Sequence, residues 1–185
     1  RQPAAEQEAL HSLASWCFQF TPQISLLPPS GLLLEVGGSL KLFKTLTHLR
    51  RELEQGVRAL GYRLKTGVAP TPRGAQLLAQ AGVVTPAISL HELGALTQPL
   101  PVAALGWEDK VVHALRAVGV NRVGECLALP AAGFRKRYGQ QQHRQLEQLM
   151  GRVPDLRDRF QPPPRFQRSL ELFSESDNIP LLLPG

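Results

Sequence analysis

The stretch Pro28-Pro29-Ser30-Gly31-Leu32-Leu33-Leu34-Glu35-Val36-Gly37-Gly38-Ser39-Leu40-Lys41-Leu42-Phe43 decides how the fold is read. Its Pro-Pro-Ser-Gly start is a turn, Leu32 to Val36 is an apolar run of strand length, and Gly37-Gly38 ends it. Ile24 to Leu27, just before the turn, reads as a second short strand. Because the Leu-Leu-Leu run shows no polar alternation, it predicts a strand covered on both faces.

Upstream, Leu10, Leu13, Cys17 and Phe20 share one helical stripe between Ala4 and Phe20, with Trp16 beside it, and Thr21-Pro22 stops that helix. Downstream, Leu46, Leu49, Leu53, Val57 and Leu60 mark an amphipathic helix whose other face carries Arg50, Arg51, Glu52, Glu54 and Arg58; Gly61 supplies its C-terminal stop. Tyr62 to Ala69 reads as a returning strand, and Pro72 to Ala81 as a helix opening on proline. Residues 1–98 therefore read as α+β with a β-α-β-α run, followed by a short helix around Ser89 to Leu96. Residues 99–161 read as all helical, with segments Glu108 to Val118, Val123 to Leu129, Ala131 to Tyr138 and Gln140 to Met150 broken by single glycines. In 162–185, Pro162-Pro163-Pro164 is a stiff linker and Phe166 to Phe173 one further strand.

A chain of 185 residues with 43% hydrophobic content suits one large domain or two small ones with an ordinary core. Its +6 formal charge, from 21 Lys+Arg against 15 Asp+Glu, is compatible with an ordinary basic protein and also with a polyanion partner, most simply nucleic acid. Cys17 and Cys126 stand far apart without a CxxC or Cys/His cluster, which argues against zinc and a disulfide framework and for a reducing cytoplasm. No apolar run reaches membrane-spanning length, and the first residues lack the core of a signal peptide. The missing initiating Met, and the apolar tail Leu181-Leu182-Leu183, read as marks of a piece of a longer protein.

The strand at 28–43 resembles one in Y-family (translesion) DNA polymerases that reads Ser-Ile-Asp-Glu-Ala-Tyr-Leu-Asp-Val-Thr-Gly-Ser. On that pattern Glu35-Val36 and Gly38-Ser39 match, whereas the adjacent catalytic Asp-Glu falls on Ser30 and Gly31. Two-metal phosphoryl transfer needs anionic oxygen ligands, which a hydroxyl and a bare backbone do not supply. A second segment, Thr66-Gly67-Val68-Ala69-Pro70-Thr71-Pro72-Arg73-Gly74-Ala75, is similar to the family's Val-Gly-Ile-Ala-x-Asn-Lys. There the Asn-Lys pair holds the incoming triphosphate; here Thr71-Pro72 replaces it. Arg73 could meet an anion at the helix start, although a solvated surface arginine is the plainer reading.

A third segment, Leu105-Gly106-Trp107-Glu108 through Gly119-Val120-Asn121-Arg122-Val123-Gly124-Glu125, resembles the family's thumb helix-hairpin-helix. Such hairpins bind DNA because glycines expose backbone N–H groups to a phosphate. Gly106, Gly119 and Gly124 match, while Glu108 stands where a second glycine is expected and should repel a phosphate. The alternative is a helical connector with ordinary glycine caps. Arg135, Lys136, Arg137, His143 and Arg144 form the densest basic patch. The resemblance therefore implies DNA contacts from Gly106, Lys110, Gly119, Arg122, Gly124, Arg135, Lys136, Arg137 and Arg144, salt-sensitive and blind to sequence.

The five histidines show no metal-binding spacing, and no Walker, GxSxG or GxGxxG motif occurs. No cofactor or metal is expected. Trp16 and Trp107 read as core residues, and Asp155, Asp158, Glu171, Glu175 and Asp177 as solvated.

Taken over nearly the whole chain, the resemblance implies a partial ferredoxin-like palm (1–98), a helical thumb (99–161) and the start of a little finger (162–185). Within the family it is nearest the catalytically degenerate ImuB-type branch. That implies a bacterial, nucleoid-associated accessory protein of SOS mutagenesis and translesion synthesis without polymerase activity. It also implies partners: primer-template DNA, the sliding clamp, an ImuA-like protein and an error-prone replicative-type polymerase, the last three through other parts of the protein. Two rival readings stand beside it, an active translesion polymerase and a helix-hairpin-helix scaffold unrelated to polymerases.

Overall fold

In the computed structural model, which describes residues 3–162, three helices start where the sequence places a hydroxyl to cap them. Thr45, Thr71 and Ser89 have extended backbones, and their side-chain oxygens accept from the N–H groups of His48, Gly74 and Glu92. These caps open α2 (Leu46–Ala59), α3 (Pro72–Ala81) and α4 (Leu90–Thr97). Before them stand α1 (Pro3–Cys17), β1 (Ile24–Leu27) and β2 (Gly31–Leu34). Four helices follow: α5 (Asp109–Arg116), α6 (Val123–Ala128), α7 (Ala131–Tyr138) and α8 (Gln140–Leu149).

β1 and β2 form an antiparallel hairpin with Ile24 opposite Leu34 and Leu26 opposite Leu32. Those four residues lie on one face, against Ala14, Trp16 and Cys17 of α1. Leu33 belongs to the other face, and every residue of β2 is only half-buried. The expectation of a strand covered on both faces is thus corrected: β2 is half-buried along its whole length, on either face, rather than enclosed. α2 reaches α1 through Gly56, where a Cβ would lie 2.3 Å from Trp16 Cζ2. Only a glycine lets the indole seat this close to the helix.

Tyr62 to Ala69 is not a strand. Its backbone is tied instead by the Ala87 N–H donating to Val68 O at 2.9 Å, and α3 lies directly on it: a Cβ on Gly67 would sit 2.4 Å from Ala75 O. A strand needs a ladder partner along its edge, and among the described residues the sheet consists of β1 and β2. The β-α-β-α run is therefore a hairpin followed by helices.

The largest core gathers Val102, Leu105, Trp107, Leu115, Val123, Phe134, Tyr138 and Leu149 from the helical half, together with Leu77 of α3. Thr71 Oγ1 also donates to Leu149 O at 3.0 Å, pinning the start of α3 to the end of α8. From there residues 151–160 run back to the hairpin, where the Phe160 N–H donates to Ile24 O at 2.7 Å and the ring is buried beside His11 and Phe18. Cys17 and Cys126 are free and buried, and burial pushes both thiols up to about 11. Trp16 and Trp107 are core residues, as read from sequence. The strand expected at Phe166 to Phe173, and Glu171, Glu175 and Asp177, lie outside the described residues.

Candidate functional site

The hairpin glycines of the helical half fold the chain with their own amides. Gly106 (φ +68°) and Gly119 (φ +85°) adopt the left-handed conformation that ends a helical turn. The Gly106 N–H donates to Ala103 O, that of Gly119 to Arg116 O and that of Gly124 to Gln98 O. The expectation that Gly106 and Gly119 offer these amides to a phosphate is corrected accordingly; carbonyls of the chain take them. At the start of α6, Glu125 Oε2 accepts from the N–H groups of Asn121 and Arg122 at 2.6 and 3.0 Å. These bonds hold its carboxyl below the usual range. The anion at this helix start is the chain's own.

At the start of α5, the exposed Glu108 carboxylate pairs with Lys110 Nζ at 2.6 Å. Arg122 is exposed at the N-cap of α6. The lysine that the first hairpin presents to a polyanion is thus already paired with an acid.

The basic patch is built differently. Phe134 and Tyr138 are buried four residues apart on α7, so Arg135, Lys136 and Arg137 point outward from its last turn, where cations favour the helix dipole. The Arg137 guanidinium lies 5.6 Å from the Tyr138 ring centre. α8 begins directly after Gly139 (φ +111°) and packs against α7, which brings exposed Arg144 and half-buried His143 beside Arg135. Among the described residues Arg135, Lys136, Arg137 and Arg144 enter no ion pair. Four cations free of intramolecular neutralisation on one helix pair can take phosphates by charge alone.

The positions aligned with polymerase chemistry lie elsewhere. Ser30 is exposed in the hairpin turn, Gly31 opens β2 and Pro72 opens α3. A Cβ on Gly31 would sit 3.0 Å from Leu27 Cβ and Leu27 O, so crowding, not a left-handed backbone, is what resists a side chain there. Among the described residues no group of three or more His, Cys, Asp or Glu converges as a metal site would.

Arg73, expected to be a solvated arginine, is a strut. Its Nη2 donates to Gln145 Oε1 at 2.6 Å and to Leu105 O at 3.3 Å, and its Nη1 to Gln76 Oε1. Burial, and then the charge of Arg157, pull its pKa down while Asp155 opposes them. Gln145 Oε1 also accepts from Trp107 Nε1 at 2.6 Å. Asp155, also expected to be solvated, has a side chain only 5% exposed and holds Arg157 in a two-point pair at 2.8 Å. The roles of Gln145 and Asp155 had no local signal, because each depends on a partner brought by the fold.

No helix among the described residues is long and apolar enough to cross a membrane. Over 149 residues, 80% of its length, the chain is 32% identical to Protein ImuB of Caulobacter vibrioides strain NA1000 / CB15N, and equally to that of strain ATCC 19089 / CIP 103742 / CB 15. It spans about a third (32%) of the length of these curated relatives. No family model matches the sequence, and no solved structure matches it. The sequence is ImuB-like over four fifths of its length.

Proposed function

We propose, from that ImuB-like sequence, that the chain is the palm-and-thumb part of a DNA-binding accessory protein of bacterial error-prone DNA synthesis, itself without polymerase activity. The observation that carries this reading is the coincidence of the similarity with four outward, unpaired cations on α7–α8. Ser30, Gly31 and Pro72, at the positions where the polymerases keep metal-binding carboxylates and a triphosphate lysine, support the non-catalytic part. Neutralising the charge of a transferring phosphoryl group is the main task of such a site, and these residues bring no charge to it.

In this reading DNA is held through Arg135, Lys136, Arg137 and Arg144, with Lys110 and Arg122 at the edge. Gly106, Gly119 and Gly124 shape the hairpins that hold those side chains in place. The sliding clamp, an ImuA-like protein and the polymerase that performs synthesis are contacted by other parts of the protein. It works in the cytoplasm, at the nucleoid.

The test is fluorescence anisotropy on primer-template DNA across a salt series. Wild type should bind weakly, without sequence preference, and Arg135→Ala/Arg137→Ala should flatten the salt slope by roughly two units. Glu108→Gly should tighten binding at low salt by releasing Lys110. An unchanged slope in the double variant removes the DNA contact from α7.

A further inference from the structure

The chain that leaves α8 places an acid inside and a leucine outside. Asp155 is 5% exposed at its side chain, whereas its neighbour Leu156 is 90% exposed, the most exposed large hydrophobic residue described. This inverts the usual partition of the two residue types, and it is not the looseness of a free loop. Gln148 Nε2 donates to Pro154 O at 3.3 Å, Arg157 grips Asp155 at two points, and Phe160 is buried against the hairpin. Leu156 is held out between fixed points.

With Val153 and Pro154 it lines an open groove of about 470 Å³ that Arg135, His143 and Arg144 also line. The groove's own carboxylate, Glu147, is engaged by Arg152 at 3.0 Å. None of Arg135, His143 or Arg144 enters an ion pair among the described residues. The lining thus combines cations that ask for negative charge with apolar surface that asks for cover.

We propose that this groove docks an acidic peptide segment of a partner protein, its carboxylates on Arg135 and Arg144 and one apolar side chain over Leu156, Val153 and Pro154. A nucleic-acid backbone would satisfy the cations but offers the leucine nothing to pack against, and a neutral apolar peptide would leave the cations uncompensated. The volume suits a few side chains and no folded domain. Arg135 and Arg144 are shared with the DNA surface proposed above, so peptide and DNA exclude one another there, while Leu156 belongs to the peptide alone.

A random dodecapeptide library panned against the chain should enrich sequences that combine several Asp or Glu with a Leu, Ile or Phe. A fluorescein-labelled copy of the most enriched peptide should bind on the order of tenfold more weakly to Leu156→Ser and to Arg144→Ala, with Lys41→Ala, exposed in the segment after β2, unchanged. An oligo-dT competitor should displace it. Failure to enrich acidic peptides, or binding indifferent to Leu156→Ser, overturns the proposal. Oligo-dT binding that needs Arg144 but ignores Leu156, with no peptide selected, assigns the groove to DNA alone and leaves the DNA reading standing.

Discussion

Arg73 and Gln145, 72 residues apart in the chain, meet at 2.6 Å, and the same Gln145 oxygen takes the Trp107 indole N–H. One side-chain amide thereby ties the start of α3 to α8 and to the first hairpin. Beside it, Thr71 Oγ1 bonds Leu149 O. The start of α3 is thereby closed against the helical half by hydrogen bonds.

Removing the strut should loosen that half as a unit. Arg73→Ala leaves Leu105 O and Gln145 without their cationic donor and should lower unfolding stability by about 1–3 kcal/mol. Gln145→Leu should do the same, and the two should be less than additive because they share a bond. Urea unfolding followed by tryptophan emission measures both; full additivity would deny the network. Arg73→Ala should leave the DNA salt slope unchanged, since this guanidinium is not a phosphate contact.

Gly56→Ala should destabilise by about 1–3 kcal/mol, because the new methyl would lie 2.3 Å from the Trp16 ring unless α1 or α2 shifts. Trp16→Leu is destabilising by itself but should relieve the clash, so that Gly56→Ala matters much less in that background. Thermal denaturation of the four variants in the cycle decides it.

Glu54 gives a pH dependence with a defined sign. The Thr66 hydroxyl and then Arg50 hold its carboxyl below the usual 4.5 against the opposing effect of burial. A folded-state pKa below the unfolded one contributes stability above about pH 4.5 that is lost as pH falls through the folded value. Glu54→Gln should therefore be less stable than wild type at neutral pH by on the order of 1 kcal/mol, and the gap should close in acid. A gap constant from pH 7 to pH 3 would mean that the ionised carboxylate contributes nothing.

Restoring the acids should not restore polymerase chemistry. Ser30→Asp with Gly31→Glu puts a side chain 3.0 Å from Leu27 and leaves Pro72 and a structurally committed Arg73 where a triphosphate would need a free cation. No Mg²⁺-dependent primer extension is expected from this double variant. Extension above background in a purified sample, abolished by reverting either residue, would refute the non-catalytic reading of the palm.

Elements that answer to local chemistry could be read directly from the residues. Thr45, Thr71 and Ser89 cap helices because each hydroxyl reaches an amide three positions on, and Phe134 with Tyr138 orients α7 because four residues make about one turn. The outward Arg135, Lys136 and Arg137 follow from the same period. What involved a distant partner could not be read this way. Tyr62 to Ala69 has a strand's composition, but a ladder needs an edge to pair with, and α3 lies on this segment instead. The hairpin glycines matched a phosphate-binding pattern, yet whether an amide is free depends on which carbonyl the turn brings to it. Arg73, Asp155 and Leu156 are the sharpest cases. Charge and hydropathy predict an exposed arginine and acid and a hidden leucine; instead Gln145 and Leu105 O engage Arg73, Arg157 encloses Asp155, and Leu156 stands 90% exposed. Helix period and capping are properties of a few adjacent residues, so sequence determined them; burial is a property of what lies opposite, and only the folded chain decided it.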